Sequence, residues 1–380
     1  MTGWNRRAFL AALAGAAPGA LVLGALPGWV RDAIAAEAPG LIVRNAWPEH
    51  WETTVAALGS AYLTPSSLFF VRSHFGAPEP NPSWQLVVDG LVDNPLYLSL
   101  VDLQAMAVAA RVVTLECAGN GRGLYRLPST SGTQWERGAV GTARWQGVPL
   151  AAVLARARVK PEARHVWFEA ADAAPLPQVP RFVRSIPLEK ATDDVLLAYG
   201  MNGVPLPRLH GAPLRAIVPG WYGMASTKWL TRVRVEAAPS DNHFMVRGYR
   251  FTYPGEDPAQ AAPVETLRVK SLITQPEDGT VVRPGAVVVR GLAWAGPPGV
   301  RAVEVSVDGG GTWRPAALTG EARPGAWRTW EAQVTARAGD LTLLARATDG
   351  AGDVQPVAAR ANAGGYGNNS LHAVTVHVRG

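Results

Sequence analysis

Cysteine is nearly absent from this chain of 380 residues, in which Cys117 is the only one. A single cysteine excludes a disulfide bond within the chain, which suits a protein bound for an oxidising compartment. It also excludes a Cys-x-x-Cys-His haem-attachment motif and an iron–sulfur cluster held by several cysteines. A redox centre held by sulfur therefore has only Cys117 to bind it, and a haem would belong to a partner.

Charge is also scarce, since charged residues make up 17% of the chain and give a formal net charge of +6. The arginines are scattered rather than clustered, which argues against a surface for nucleic acid. A pocket for an anionic substrate and a phosphorylated cofactor would account for part of the positive excess. The hydrophobic content of 48% is that of an ordinary globular protein with a core.

The N-terminal segment, residues 1–36, has little hydrophobicity for its length. Arg6 and Arg7 precede a run rich in alanine, glycine and leucine that is interrupted by Pro18 and Pro27. Twin arginine before such a run is typical of a Tat export signal. The alternative is a retained transmembrane anchor, but the run is weakly apolar for that role. We expect cleavage, a periplasmic location and no membrane span in the mature form.

The rest of the chain divides into two domains, because the mixture of predicted helices and strands gives way to strands alone. Residues 41–262 mix short strands and helices, with residues 41–68 as an irregular arm and Ser99 as the N-cap of a helix. A boundary rich in proline and small residues falls at 253–263. Residues 263–380 contain short alternating strands and a hairpin turn. The predicted fold class is α+β, a mixed α/β domain followed by an all-β immunoglobulin-like sandwich.

The stretch around Cys117 has the features of a functional loop. A β-rich run, Val112–Leu115, leads into it, and a glycine-rich turn, Gly119–Gly123, follows. The thiolate is the form of cysteine that attacks or binds metal, and Arg122 would help to lower the thiol pKa. A buried structural cysteine is an equally good interpretation of the loop alone.

Several segments together resemble the sulfite oxidase family of molybdenum oxidoreductases. Cys117-Ala-Gly-Asn, followed closely by Arg122, resembles the active-site loop of that family, and the segment with Arg72 and His74 resembles its Arg-x-His segment. The other supporting segments are 141–150, which resembles a linking segment, and 194–215, 218–223 and 228–230, which resemble the pterin-binding region. The motifs occur in the family's order from about residue 69 onward.

The resemblance implies a molybdenum–molybdopterin cofactor, in the form without an added nucleotide and with no haem in this chain. Cys117 would be the metal ligand, since a soft thiolate suits a metal also held by a dithiolene. Arg72 and Arg122 would bind an anionic substrate, and Tyr249 would hydrogen-bond to oxygen carried by the metal. His74 would contact the pterin or the pocket.

The resemblance also implies a phosphate site. His210, Arg215 and Lys228 would hold the phosphate of the pterin, because charge-assisted bonds to phosphate are strong. A proline-rich surface loop is the alternative interpretation of this segment.

Two departures from the family pattern concern the substrate. Gly121 stands where some relatives carry a second basic residue, and Asn362–His372 contains no arginine where vertebrate-type enzymes send one into the pocket. Fewer cations would hold an oxyanion, so a larger sulfur species is the alternative to sulfite as substrate.

The function that follows is a periplasmic sulfite dehydrogenase. It would oxidise sulfite, or a related sulfur oxyanion, to sulfate and pass electrons to a c-type cytochrome. We expect a homodimer or a heteromer with a cytochrome subunit. One alternative is a molybdopterin-dependent reductase of sulfoxides, including methionine sulfoxide in proteins. The other is a non-catalytic exported binding module, which would contain no molybdenum.

Overall fold

A computed structural model describes residues 40–125, 130–174, 176 and 178–380. The predicted export signal lies outside the described residues. The α+β fold class is confirmed, with few short helices, many strands and an all-β C-terminal domain. None of the described helices is long and apolar enough to cross a membrane.

The first part of the N-terminal arm is regular, so the prediction of an irregular arm was wrong for residues 41–58, whereas residues 59–68 contain no helix or strand. Strand β1 (Leu41–Asn45) pairs with β2 (His50–Thr53) in an antiparallel hairpin, and helix α1 (Val55–Leu58) follows. Strand β2 buries polar residues rather than apolar ones, among them Glu52, whose carboxylate accepts backbone N–H groups across 84 and 86 residues of chain. Buried polar side chains that are hydrogen-bonded to distant residues do not produce the alternation of apolar and polar residues by which a strand is recognised in a sequence.

One five-stranded sheet leads directly to Cys117. Its order is β10-β9-β6-β5, with β11 also paired to β9 and every pair antiparallel. Its strands are β5 (Ala109–Glu116), β6 (Val140–Pro149), β9 (Leu196–Met201), β10 (Val204–Pro205) and β11 (Arg215–Ile217). Because β5 ends at Glu116, the next residue, Cys117, stands at the edge of the sheet.

A second five-stranded sheet, in the order β4-β3-β12-β7-β8, carries the largest hydrophobic cluster. Its strands are β3 (Leu86–Gly90), β4 (Leu96–Leu98), β7 (His165–Ala170), β8 (Val183–Pro187) and β12 (Leu230–Glu236), with β12 parallel to β3 and the other pairs antiparallel. The short helices of this part of the chain are α2 (Leu100–Gln104), α3 (Leu150–Ala157), α4 (Leu188–Asp193) and α5 (His243–Val246). Ser99 caps α2 as predicted, in a capping box with Asp102.

The C-terminal part is all-β after a small pair, β13 (Arg250–Phe251) and β14 (Ala262–Pro263). Eight strands follow in the order β15-β17-β20-β19-β18-β21-β22-β16. They are β15 (Lys270–Gln275), β16 (Val281–Val282), β17 (Gly285–Trp294), β18 (Val300–Ser306), β19 (Arg314–Thr319), β20 (Arg328–Ala336), β21 (Gly339–Asp349) and β22 (His372–Val378). An immunoglobulin-like topology for this part stays a prediction.

The two parts share a buried cluster that lies beside Cys117. Trp294 and Trp327 of the C-terminal part belong to the same cluster as Ala118 and Tyr249. The backbone N–H of Trp327 donates to Oγ1 of Thr114 at 2.7 Å, and the N–H of Thr114 donates to the carbonyl of Gly325 at 2.8 Å. The C-terminal part therefore holds strand β5 in place at the point where it delivers Cys117.

Candidate functional site

Seven of the eight predicted site residues line a single pocket. They are Arg72, His74, Cys117, His210, Arg215, Lys228 and Tyr249. They come from five separate chain segments, so the fold brings together what the sequence separates by up to 177 residues. The remaining prediction, Arg122, does not line this pocket.

Cys117 presents a half-buried thiol to the pocket. Its backbone N–H donates to the carbonyl of Ala139 at 2.9 Å, and its carbonyl accepts the N–H of Asn120 at 2.8 Å. Nowhere in the described ranges do three or more His, Cys, Asp or Glu side chains group to hold a metal. A metal bound at Cys117 would thus take its other ligands from a non-protein group, as a dithiolene provides.

Lys228, which is half-buried, and Arg215, which is buried, line the pocket, and neither forms an ion pair with a carboxylate in the described part of the chain. Lys228 Nζ donates to Ser73 Oγ and to the Leu209 carbonyl, each at 2.8 Å. Arg215 donates to the carbonyls of His210 at 2.8 Å and Ser226 at 2.9 Å. Burial holds the pKa of Lys228 well below its usual value and lowers the pKa of Arg215 to about 9. A bound phosphate would reverse both shifts, because an opposite charge favours the protonated forms.

The pocket also contains groups that a polar, anionic cofactor would satisfy. Oγ1 of Thr227 lines the pocket, is buried and has no hydrogen-bond partner among the described residues. Gly211, whose φ is 113°, lies against the side chains of both cations. A Cβ added there would stand 3.0 Å from Cβ of Lys228 and 3.1 Å from Cβ of Arg215. Orphaned buried polar groups are rare in folded proteins unless something binds them. The residues present fit a phosphorylated pterin.

Asp172 lines the same pocket and was not predicted from the sequence. Burial raises the pKa of its carboxyl group to about 6. A carboxyl group in this state can accept N–H donors or, when protonated, donate its own proton, so it matches the ring nitrogens of a pterin.

His210 lines the pocket as a neutral ring. Burial lowers its pKa to about 3, and its Nε2 lies 2.9 Å from the carbonyl of Ser66. A carbonyl oxygen only accepts, so Nε2 carries the proton and Nδ1 is the acceptor. His210 therefore brings no positive charge to a phosphate, and its predicted role there stays a prediction.

Arg72, His74 and Tyr249 form a chain of side-chain contacts along the pocket wall. Arg72 donates to Nδ1 of His74 at 3.2 Å, and Nε2 of His74 lies 2.7 Å from the Tyr249 hydroxyl. The backbone of Tyr249 is left-handed, with φ 54°. A bulky residue in that conformation is strained and must be held by its surroundings, which is common at functional sites.

Arg122 lies behind the pocket wall and is buried. Its Nε donates to the carbonyl of Gly364 at 2.9 Å, and its Nη1 donates to the carbonyl of Thr133 at 3.0 Å. Its guanidinium lies 5.3 Å from the ring centre of Tyr366, which stacks on Tyr249 at 5.2 Å. Arg122 is thus linked to the pocket indirectly, by its contact with Tyr366, whose ring stacks on Tyr249. Direct substrate contact by Arg122 stays a prediction.

Two further residues beside the pocket escaped sequence reasoning. Tyr366 belongs to the C-terminal loop that lacks arginine, and the fold places this loop against the cysteine loop, since Gly367 N–H donates to the Ala118 carbonyl at 2.8 Å. Arg184 is buried 5.2 Å from the ring centre of Tyr249. An arginine in strand β8 carries no local signal that its side chain is buried.

Comparisons with known proteins match both parts of the chain to known domain families. Residues 74–244 match the family profile for an oxidoreductase molybdopterin binding domain, and residues 261–379 match that for a Mo-co oxidoreductase dimerisation domain. The chain is 40% identical to mitochondrial sulfite oxidase of Rattus norvegicus over 364 residues, covering 90% of the chain and 66% of the rat protein. It is 34% identical to sulfite oxidase of Arabidopsis thaliana, covering 90% of the chain and 94% of the plant protein.

A solved structure is similar over nearly the whole chain. It is the sulfane dehydrogenase SoxCD from Paracoccus pantotrophus, with 30% sequence identity and a TM-score of 0.80. The match covers 96% of this chain and 93% of that chain. Fold, pocket and comparisons together define a molybdopterin-binding oxidoreductase. The chain belongs to the sulfite oxidase family.

Proposed function

We propose that this protein is a periplasmic sulfite dehydrogenase that oxidises sulfite, or a related sulfur oxyanion, to sulfate. The half-reaction is sulfite plus water to sulfate, two protons and two electrons. The observation that carries the proposal is the pocket itself, which is lined by one thiol, by the cationic side chains of Arg72, Lys228 and Arg215, and by the carboxyl group of Asp172. The sulfite oxidases of the rat and of Arabidopsis are similar over 90% of the chain.

The residues divide between two ends of the pocket. Lys228, Arg215 and Thr227 would hold the phosphorylated pterin, and Cys117 would bind the molybdenum through its thiolate. When bound, the cofactor supplies the two-electron oxidation and the transfer of an oxygen atom that no side chain can perform. Arg72 would hold the anionic substrate beside the metal, where a charge-assisted hydrogen bond also orients it.

The aromatic side chains around His74 would keep water away from the substrate. The rings of Phe182 and Phe244 have centres 4.6 and 4.5 Å from that of His74. Low local polarity strengthens the attraction between Arg72 and an anion, because fewer water dipoles screen it.

Two one-electron steps to a c-type cytochrome would restore the oxidised enzyme. The single cysteine excludes a Cys-x-x-Cys-His motif from the printed sequence, and we propose a separate subunit or a diffusing cytochrome as the acceptor. The dimerisation domain at 261–379 supports a homodimer, and a heteromer with a cytochrome subunit is the other assembly we propose. The twin arginine at Arg6 and Arg7 supports export by the Tat route.

A second substrate class has one observation in its favour. The structural match over 96% of the chain is with a protein named as a sulfane dehydrogenase, and this chain lacks an arginine in the loop 362–372. A sulfane sulfur in a neutral or singly charged compound needs fewer cations than a free dianion. A sulfane dehydrogenase is therefore the alternative in the same fold.

The deciding experiment uses protein purified from the periplasm. Molybdenum and pterin are quantified, and cytochrome c reduction is then measured with sulfite, with thiosulfate and with no donor. Sulfoxide reduction is assayed in parallel with a reduced dye. Sulfite-dependent reduction of cytochrome c by the molybdenum-loaded protein supports the proposal. Loaded protein that reduces sulfoxides but ignores sulfite contradicts it, and protein without molybdenum favours a binding module.

A further inference from the structure

The wall of the pocket beside Cys117 is apolar and partly aromatic. Four residues line the pocket and also belong to one hydrophobic cluster. They are Ala118, Phe182, Met224 and Tyr249. A Cβ added to Gly223 would stand 3.2 Å from the carbonyl oxygen of Glu116, so Met224 and its cluster lie beside the cysteine loop. A substrate that reacts next to Cys117 therefore meets apolar groups as well as charge.

Few positive charges are left for the substrate at this wall. Among the described residues that line the pocket, the cationic side chains are those of Arg72, Lys228 and Arg215. Burial lowers the pKa of both pocket histidines, His74 and His210, so these rings are neutral. A phosphate monoester carries about 1.5 to 2 negative charges at neutral pH, and in the proposed function Lys228 and Arg215 balance it. Arg72 then remains to pair with the substrate.

Two other buried arginines lie near this wall, but their side chains are engaged elsewhere. Arg122 and Arg184 both donate to backbone carbonyls. The guanidinium of Arg122 lies against the ring of Tyr366, and that of Arg184 lies against the ring of Tyr249. Neither arginine is among the described residues that line the pocket. They therefore do not replace the cation that the C-terminal loop lacks.

The C-terminal loop brings an aromatic ring to this wall in place of a cation. Loop 362–372 contains no arginine, and the ring of its Tyr366 stacks on Tyr249 with centres 5.2 Å apart. A Cβ added to Gly364 would stand 2.2 Å from the ring of Tyr366. Only glycine at this position leaves room for the ring. The loop is thus built to support the aromatic wall from behind.

One available cation and an apolar wall match an anion that has a single charge and an organic group. Burial of a charge is costly unless the charge is paired, so a dianion beside Arg72 alone would leave one charge unbalanced. An organic group gains free energy when it leaves water for an apolar surface. An organic sulfinate, R–SO₂⁻, has both features. Its sulfur also carries the lone pair through which sulfite is oxidised.

We propose that this pocket also oxidises organic sulfinates to sulfonates. The half-reaction is R–SO₂⁻ + H₂O → R–SO₃⁻ + 2 H⁺ + 2 e⁻. One sulfur–oxygen bond forms, both O–H bonds of the water break, and the carbon–sulfur bond stays intact. The two electrons pass to two equivalents of a c-type cytochrome. Arg72 binds the sulfinate oxygens, and the organic group lies against Phe182, Met224 and Tyr249. The inference rests on the proposed function, from which it takes the cofactor and the acceptor.

The first test compares sulfite with methane-, ethane- and propanesulfinate as donors for the molybdenum-loaded protein. Cytochrome c reduction gives kcat/KM, and mass spectrometry identifies the sulfonate product. We expect kcat/KM to rise about fourfold with each added methylene, because each one buries further apolar area. Sulfite turnover without sulfinate turnover overturns the inference and leaves the proposed function standing. Sulfinate turnover without sulfite turnover supports the inference and contradicts sulfite as substrate. Turnover of neither contradicts both.

The second test measures binding without turnover. The oxidised, loaded protein is titrated with methane-, ethane- and propanesulfonate in a calorimeter, with sulfate as the reference anion. The Kd should fall about fourfold with each added methylene. A Kd that is the same for the three sulfonates shows that no apolar wall receives the organic group and overturns the inference.

Met224 supplies the variants, because its side chain lines the pocket in the apolar cluster. The quantity compared is the ratio of kcat/KM for propanesulfinate to kcat/KM for sulfite. Met224→Ala should lower this ratio about 10-fold, the loss typical of apolar groups removed from a pocket. Met224→Leu keeps the apolar volume and should keep the ratio. An unchanged ratio in folded Met224→Ala, or an equal loss in both variants, overturns the placement. If Met224→Ala does not fold, the two wild-type series decide.

Discussion

Nζ of Lys270 lies 2.6 Å from Oε1 of Glu116, and this buried pair joins the C-terminal all-β part to the residue before Cys117. The same carboxylate accepts Nδ2 of Asn120 and Nε1 of Trp294, each at 2.9 Å. Every oxygen of Glu116 is thus satisfied by groups on both sides of the domain boundary. The C-terminal part therefore helps to form the wall on which the proposed metal ligand stands, in addition to any role in dimerisation.

Removal of one partner of this pair should be costly. Lys270→Met leaves the Glu116 carboxylate buried and unpaired, and we expect a loss of about 3–5 kcal/mol in the free energy of unfolding. Glu116→Gln combined with Lys270→Met should recover much of that loss, because no charge then remains buried. Urea unfolding of the wild type, Lys270→Met, Glu116→Gln and the double variant measures the coupling. Arg290→Met is a matched control at an exposed pair with Glu331 and should change stability by less than about 1 kcal/mol. Equal losses in the free energy of unfolding for Lys270→Met and Arg290→Met would show that the buried pair stabilises the fold no more than the exposed pair does.

Among the residues that the structure describes, the thiol of Cys117 makes no hydrogen bond that the fold would lose on substitution. Cys117→Ser should therefore keep the fold, and it should abolish sulfite turnover because a hydroxyl is a poor ligand for a metal that prefers thiolate. Far-ultraviolet circular dichroism and the unfolding midpoint test the fold, and metal analysis with cytochrome c reduction tests the site. Full activity in Cys117→Ser would sink the assignment of this residue as metal ligand.

Local patterns predicted much of the fold and the segments of the site. The helix capped by Ser99 was readable because its cap and its partner Asp102 lie three residues apart. The contact of Tyr249 with Tyr366 was not readable, since 117 residues separate them and only tertiary packing joins them. Arg184 was missed for the same reason, because neither its burial nor its contact with Tyr249 produces a periodic pattern in the sequence. Arg122 follows Cys117 closely in the sequence, as the resemblance requires, but its hydrogen bonds to two backbone carbonyls keep its side chain out of the pocket lining.

A pH effect on stability is expected from His372, which does not line the pocket around the predicted metal ligand. Burial lowers its pKa from 6.5 to about 3, and its Nδ1 accepts the backbone N–H of Ile273 at 3.1 Å. The unfolded chain binds the proton more readily, so this stabilisation is fully present above about pH 6.5 and is lost as the pH falls toward 3. His372→Asn keeps an acceptor oxygen and removes the titration. The wild type should lose about 2 kcal/mol more than His372→Asn between about pH 7.5 and about pH 5. Parallel pH profiles of unfolding free energy for the two proteins would contradict the assignment.

The strongest effect on substrate binding is expected at Arg72, since Arg122 is occupied by two backbone carbonyls and the loop 362–372 supplies no arginine. With few cations at hand, each one contributes more to holding an anion. Loss of a charge-assisted bond to a buried anion costs roughly 1.5–3 kcal/mol, or about 10- to 150-fold. Arg72→Gln should therefore raise the KM for sulfite and lower kcat/KM by at least that factor. Inhibition by sulfate should weaken by a similar factor, because the product is also a dianion. Arg72→Lys keeps the charge and should recover part of the loss, while the KM for cytochrome c should stay the same in both variants. If Arg72→Gln left the KM for sulfite and the inhibition by sulfate intact, Arg72 would not be the residue that binds the anion.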